Sequence, residues 1–179
     1  MKGIVFTEFL DLVEEKFGLE TVQQIINEVE TKSDGVYTAV GTYDHGEMFA
    51  MVSKLSEISG IGIPNLLEFY GEHFFDILAS SYPQFMQKKD LFSFLETIDN
   101  YIHPEVLKLY PDAELPKFKA KSVDSTQLEL IYQSKRKMID FAVGLIKGAA
   151  TYFEEKVDVQ KSKINLDGEE VELKITKIG

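Results

Sequence analysis

The sequence predicts an α+β fold, a helical N-terminal part followed by a four-stranded antiparallel sheet packed with helices. Three observations carry that expectation. Apolar residues recur near every 3.6 positions from Val5 to Ile102; the period drops to two after Pro111 and Pro116; and the alternating stretches come as two pairs with one helical stretch between them. With 44% hydrophobic and 27% charged side chains, the 179-residue chain can bury a sizeable core and is not of disordered composition. A helical N-terminal subdomain of about residues 1–60 and a sheet-bearing subdomain of about residues 61–179 are expected, together one domain at the usual ~100–200 residues.

Val5, Phe9, Leu12, Val13 and Phe17 mark one amphipathic helix, and Val22, Ile25, Ile26 and Val29 a second, with Gly18 as the break. Thr42 or Asp44 can cap a third helix through Met48, Val52 and Leu55, which Gly60 ends. Pro64 opens a fourth through Leu67, Tyr70, Phe74, Phe75 and Leu78, proline being favoured at the first helical position. Leu91, Phe94, Leu95, Ile98 and Ile102 keep the helical spacing up to His103-Pro104, where the missing amide and the ring clash predict a kink or a fresh helix start. A strand is expected near residues 117–123, a turn at Asp124-Ser125 and a second strand over about residues 127–136. The last helix, about residues 137–155, carries Phe141, Leu145 and Phe153 and is loosened by Gly144 and Gly148. A final hairpin turns at Asp167-Gly168 between Ile164 and Val171.

The absence of cysteine excludes disulfides, iron–sulfur clusters, thiolate-bound zinc or haem, and cysteine nucleophiles. The apolar run Ile4-Val5-Phe6 is too short for a signal peptide and no stretch reaches membrane-spanning length, so a cytoplasmic protein without membrane attachment is expected. The whole net charge of −11 arises in residues 1–100, where 6 Lys stand against 17 Asp and Glu. Such a surface repels nucleic acid and anionic lipid, and a basic protein partner suits it better. No G-x-S-x-G elbow, P-loop, dinucleotide fingerprint, H-E-x-x-H or EF-hand loop is present, which removes the usual signatures of most enzyme classes. His45, His73 and His103 are spaced too far apart to suggest a preassembled multi-histidine metal site.

Of 19 basic residues only Arg136 is arginine. On the second strand Leu128, Leu130, Tyr132, Ser134 and Arg136 share a face, which therefore starts apolar and ends polar. Two hydroxyls and a guanidinium, about 7 Å apart in turn, would hold two carboxylates at the rim of an apolar cavity, arginine's planar fork suiting a carboxylate better than lysine's ammonium. The same pattern describes a strand end meeting solvent, with Arg136 in a surface ion pair worth about 0–1 kcal/mol. From this strand alone both readings stand.

The pentapeptide Tyr132-Gln133-Ser134-Lys135-Arg136 resembles the Tyr-x-Ser-x-Arg signature of the H-NOX family, the haem nitric oxide/oxygen-binding domains related to the haem domain of soluble guanylate cyclase. The Met-Lys-Gly start, a His about thirty residues before the Tyr, a Pro between them and the two terminal hairpins keep the family's order, so the resemblance covers essentially the full chain. It implies a stand-alone bacterial domain with haem b, protoporphyrin IX with iron, buried between the helical subdomain and the sheet. By position it makes Tyr132, Ser134 and Arg136 the propionate ligands, His103 the proximal iron ligand, and Pro116 the residue that presses on the macrocycle. Neutral imidazole is a usual ligand for haem iron. His45 and His73 remain ordinary side chains.

Family members that keep O₂ resemble this chain but carry a distal tyrosine five positions after the signature Arg, where Phe141 stands here. Val5, Phe9, Phe74, Leu78 and Leu145, placed on the same distal side by the resemblance, are apolar too. A hydrogen bond to a charged partner contributes about 1.5–3 kcal/mol, or about one to two decades of affinity. The resemblance thus implies a sensor that binds NO, and CO, at ferrous haem and excludes O₂. In it, NO frees His103 from the iron and a separate protein, by family habit a histidine kinase or a cyclic-di-GMP enzyme, reads the change. No enzymatic activity is expected: peroxide cleavage wants a distal base and usually an arginine near the iron, and the sole arginine is assigned to the propionates. A haem or lipid carrier is the alternative for the same cavity.

Overall fold

A computed structural model describes residues 1–165 and 167–178 and shows helices followed by a four-stranded antiparallel sheet, the expected α+β class. The chain forms two compact units, Met1–Tyr70 and Gly71 onward. No helix among the described residues is long and apolar enough to cross a membrane.

In the first unit, α1 (Ile4–Phe17) and α2 (Leu19–Glu28) meet at Gly18, whose φ of 90° is open to glycine and strained for other residues. α3 (His45–Ser59) is capped by Asp44, whose carboxylate accepts the Gly46 N–H at 2.9 Å, and ends at Gly60 in the left-handed conformation. Of the two residues expected to cap it, Asp44 does so; Thr42 instead makes an isolated bridge with Lys2. Phe6, Phe9, Leu12 and Val13 of α1, Ile25 of α2, and Met48, Met51, Val52 and Leu55 of α3 are buried. Glu47 is buried with them because the Tyr37 hydroxyl donates to its carboxylate at 2.8 Å, and Tyr37 in turn stacks on Phe6 at 4.5 Å.

α4 (Ile63–Ser81) carries the chain into the second unit, which continues through a 3₁₀ turn at Pro83–Met86, α5 (Leu91–Leu95), a π-helical turn at Ile98–Ile102 and α6 (His103–Leu109). The sheet follows as β1 (Lys117–Ser122), β2 (Gln127–Gln133), β3 (Val157–Ile164) and β4 (Glu170–Lys177), in the order β1-β2-β4-β3, with α7 (Ile139–Tyr152) between its two hairpins. Leu128, Leu130 and Tyr132 of β2 and Val171, Leu173 and Ile175 of β4 share one core with Ala142, Val143 and Ile146 of α7.

Three expectations change in detail. The stretch expected to run as one helix to Ile102 is broken after Leu95 and re-forms as a π turn, which passes into α6 at His103-Pro104 with helical backbone on both sides, so the winding changes there without a fresh start. The second strand ends at Gln133 rather than reaching Arg136, because the chain turns there into α7. Gly144 and Gly148 do not loosen α7, which passes through both unbroken. They let it lie close to α4: a Cβ on Gly148 would stand 2.7 Å from the Phe75 Cβ and 2.9 Å from the Glu72 carbonyl, and one on Gly71 would collide with the Phe141 carbonyl.

Candidate functional site

His103 is the first residue of α6 and closes the π turn. The Ile102 N–H reaches the Thr97 carbonyl at 3.1 Å and the His103 N–H reaches that of Ile98, each five residues back. The widening has a local cause in Pro104, whose ring, without an N–H, would press on the carbonyl of Asn100 in a regular α-helix. Asn100 is exposed, so a carbonyl left without an amide partner can be hydrated.

The His103 ring is mostly buried, its side chain 17% exposed, and lies 5.9 Å from the ring of Phe118. Asp99, four residues earlier, places Oδ1 3.1 Å from its Nδ1, while Oδ2 accepts the backbone N–H of Phe118 at 2.9 Å. Burial pulls the His103 pKa below the ordinary histidine value, against the opposing pull of the Asp99 charge. Among the described residues nothing bonds Nε2.

The signature residues gather where β2 gives way to a turn. The Ser134 N–H still pairs with the Glu169 carbonyl at 2.8 Å; then the Arg136 N–H donates to Ser134 Oγ and the Lys137 N–H to the Ser134 carbonyl, both at 3.2 Å, with Lys137 at φ 54°. Tyr132, 2% exposed, ends the inner face of β2. Burial raises the Tyr132 pKa, with Ser134, the Met138 backbone and the Arg136 charge pulling the other way. The three side chains are thus brought together by a turn and not by strand alternation.

Arg136 is 16% exposed and one terminal nitrogen donates to the carboxylate of Glu114, itself 87% exposed, at 3.2 Å. Such a pair contributes about 0–1 kcal/mol, so a better-placed carboxylate can displace it. Glu114, Leu115, Lys117, Gln133, Ser134 and Arg136 line part of a cleft of about 500 Å³ beside this turn. Pro116, half-buried, leads into β1.

Of the apolar residues expected near a bound gas, Val5 and Phe9 lie on α1 in the first unit, Phe9 being 2% exposed. In the second unit Phe74 on α4 and Phe141 on α7 put their rings 5.7 Å apart, and Leu78 and Leu145 are half-buried on the same two helices. Tyr70 is spaced four and eight residues before Phe74 and Leu78, on the same face of α4. Its hydroxyl donates to the Val5 carbonyl at 2.5 Å, and burial holds its pKa well above the ordinary tyrosine value. Periodicity marked Tyr70 only as a helix core position; the destination of its single O–H is tertiary information. Asp99 also escaped the sequence reading, although its spacing of four from His103 was a usable signal.

These residues fit a haem. A single buried imidazole with one ring nitrogen bonded and the other without a partner suits a metal whose remaining ligands come from a macrocycle. A tyrosine, a serine and an arginine converging in one turn suit paired carboxylates. No group of three His, Asp or Glu that would hold a bare ion occurs among the described residues. His45 is a half-exposed side chain 3.6 Å from the Asp44 carboxylate, and His73 lies on α4.

The chain matches the family model described as Haem-NO-binding over residues 2–161. Among solved structures it is similar to the Fe(II) unliganded H-NOX protein of K. algicida, at 45% identity and a TM-score of 0.94 over 100% of this chain and 97% of that one. The S. oneidensis H-NOX protein in the Fe(II)NO state is 28% identical with a TM-score of 0.92, covering 100% of both chains. The H-NOX of Shewanella woodyi, bound to IWP-051 in the Fe(II)CO state, is 40% identical with a TM-score of 0.84, covering 99% of this chain and 95% of that one. No curated protein matches the chain.

Proposed function

Because this chain belongs to the haem-NO-binding family, whose H-NOX members are haem-based gas sensors, we propose that it is a cytoplasmic NO sensor that excludes O₂ and reports to a separate protein. The observation that carries this reading is the His103–Asp99 arrangement, a buried imidazole with one nitrogen engaged and Nε2 without a bond among the described residues. Haem b, when bound, would supply an iron that takes NO or CO. Relatives have been solved with each of these gases.

In this proposal His103 would hold the iron through Nε2, and Tyr132, Ser134 and Arg136 would donate to the propionates, Arg136 giving up its exposed Glu114 partner for them. Pro116 would pack against the macrocycle. Val5, Phe9, Phe74, Leu78, Phe141 and Leu145 line the gas side without offering a donor, and the Tyr70 hydroxyl is spent on the Val5 carbonyl. O₂ needs a donor at its partly negative outer atom, whereas NO is held without one, so an apolar lining selects NO.

Were NO to free His103 from the iron, α6, which carries it, would be released from one restraint. Differential affinity of NO for the two arrangements shifts the population between them. A histidine kinase or a cyclic-di-GMP enzyme is the proposed reader, and the acidic surface of residues 1–100 its docking face. The chain itself is not an enzyme in this reading.

The visible spectrum tests the proposal. Ferrous protein supplied with haem should show a Soret band that NO shifts to the five-coordinate position and that air leaves unchanged or slowly oxidised. A stable shift in air that reverses when oxygen is removed overturns the O₂ exclusion; protein that stays colourless with haem overturns the whole reading.

A further inference from the structure

The Asp99 carboxylate faces two groups at once, the Nδ1 of His103 at 3.1 Å and the backbone N–H of Phe118 at 2.9 Å. The second is necessarily a donor. A carboxylate only accepts, so Asp99 is satisfied on both oxygens when the imidazole proton sits on Nδ1. That tautomer leaves the Nε2 lone pair unprotonated and pointing away from Asp99, the state a metal ligand requires. The second oxygen makes the arrangement more than local: Phe118 is in β1, its ring lies 5.9 Å from the His103 ring and 5.5 Å from that of Tyr132, and it pairs in register with Tyr132 on β2. One carboxylate therefore joins the proximal turn to the two strands that lead to the propionate-binding turn.

We propose that Asp99 is the positioning residue of the proximal imidazole, fixing the tautomer that offers Nε2 and tying the ring, through the Phe118 N–H, to the first strand of the sheet. This rests on the reading of His103 as the iron ligand. Asp99 keeps the ring oriented and raises its basicity, as carboxylates behind metal-bound histidines do. When His103 moves, Asp99 transmits the movement to the start of β1, so the strand responds to the position of the imidazole.

The experiment compares full-length haem-loaded protein with Asp99→Asn, which keeps the shape but offers one acceptor to two donors. In the variant the Fe–His stretching band in resonance Raman should move to lower frequency, and haem should pass to excess apomyoglobin about 10–100-fold faster. Exchange of the Phe118 amide, which in the parent should change on adding NO, should be fast and insensitive to NO. An unmoved band with haem loss within twofold overturns the positioning role. A moved band with NO-sensitive Phe118 exchange overturns the link to the strand. Should the variant not retain haem, the parent decides: in its ferrous CO form the hydrogen-bonded Nδ1–H should give a slowly exchanging proton signal, and its absence overturns the proposal. Failure of the parent itself to take up haem would count against His103 as ligand, a result distinct from these.

Discussion

Phe141 carries the proposed ligand choice on one missing oxygen atom. Its ring lies 5.7 Å from that of Phe74, and Gly144 and Leu145 follow it one turn on along α7. Phe141→Tyr adds a single hydroxyl at the position where O₂-keeping relatives have one. In an apolar, water-poor surround such a donor is worth about 1.5–3 kcal/mol to a charged partner, so the variant should hold O₂ about one to two decades more tightly. Oxygen titration of the ferrous protein reads this directly, and an unchanged response would remove Phe141 from the gas pocket. Tyr70 shows why counting hydroxyls in the sequence is insufficient, since its O–H is already committed to the Val5 carbonyl.

Two elements owe their form to residues that remove something. Pro104 removes an amide and widens the turn before His103, and that turn brings Asp99 to the ring. Gly148 removes a side chain where α7 approaches α4. Gly148→Ala would force a Cβ to 2.7 Å from the Phe75 Cβ and 2.9 Å from the Glu72 carbonyl, the second being backbone that cannot rotate away. Overpacking of this kind costs about 1–3 kcal/mol, although alanine is otherwise the better helix former by about 1 kcal/mol. Denaturant unfolding should therefore show Gly148→Ala less stable than the parent; a more stable variant would mean that the two helices separate at no cost.

For the whole molecule, acid stability follows from carboxylates in turns and caps. Asp44 is held below the ordinary aspartate pKa first by the Gly46 N–H, Asp90 by Ser93 through side chain and backbone, and Asp124 by the Thr126 N–H and hydroxyl. A depressed folded pKa means a contribution fully present above the unfolded value, near 4, and lost as pH falls through the lower folded values. The thermal midpoint should accordingly start to drop below about pH 4 and continue to drop as these groups gain protons. A midpoint unchanged down to pH 2 would show that the caps do not contribute.

The α+β class, the break at Gly18 and the cap at Asp44 were legible in the chain because period and caps act within a few residues. Tyr132, Ser134 and Arg136 were grouped from alternation along one strand, and that alternation does not reach Arg136. Strand alternation extends only as far as the ladder does, and the ladder stops at Gln133, where the turn after Ser134 takes over. The close approach at Gly148, the Tyr70–Val5 bond and the hold of Asp99 on the Phe118 N–H depend on residues 19 to 76 positions apart in the chain. The amino-acid order by itself determined which segments curl and which extend, and it named the candidates for holding a metal or an acid. Tertiary structure alone decided where each hydrogen-bonding group is spent, because a donor's partner is set by distance in space and local spacing carries no record of it.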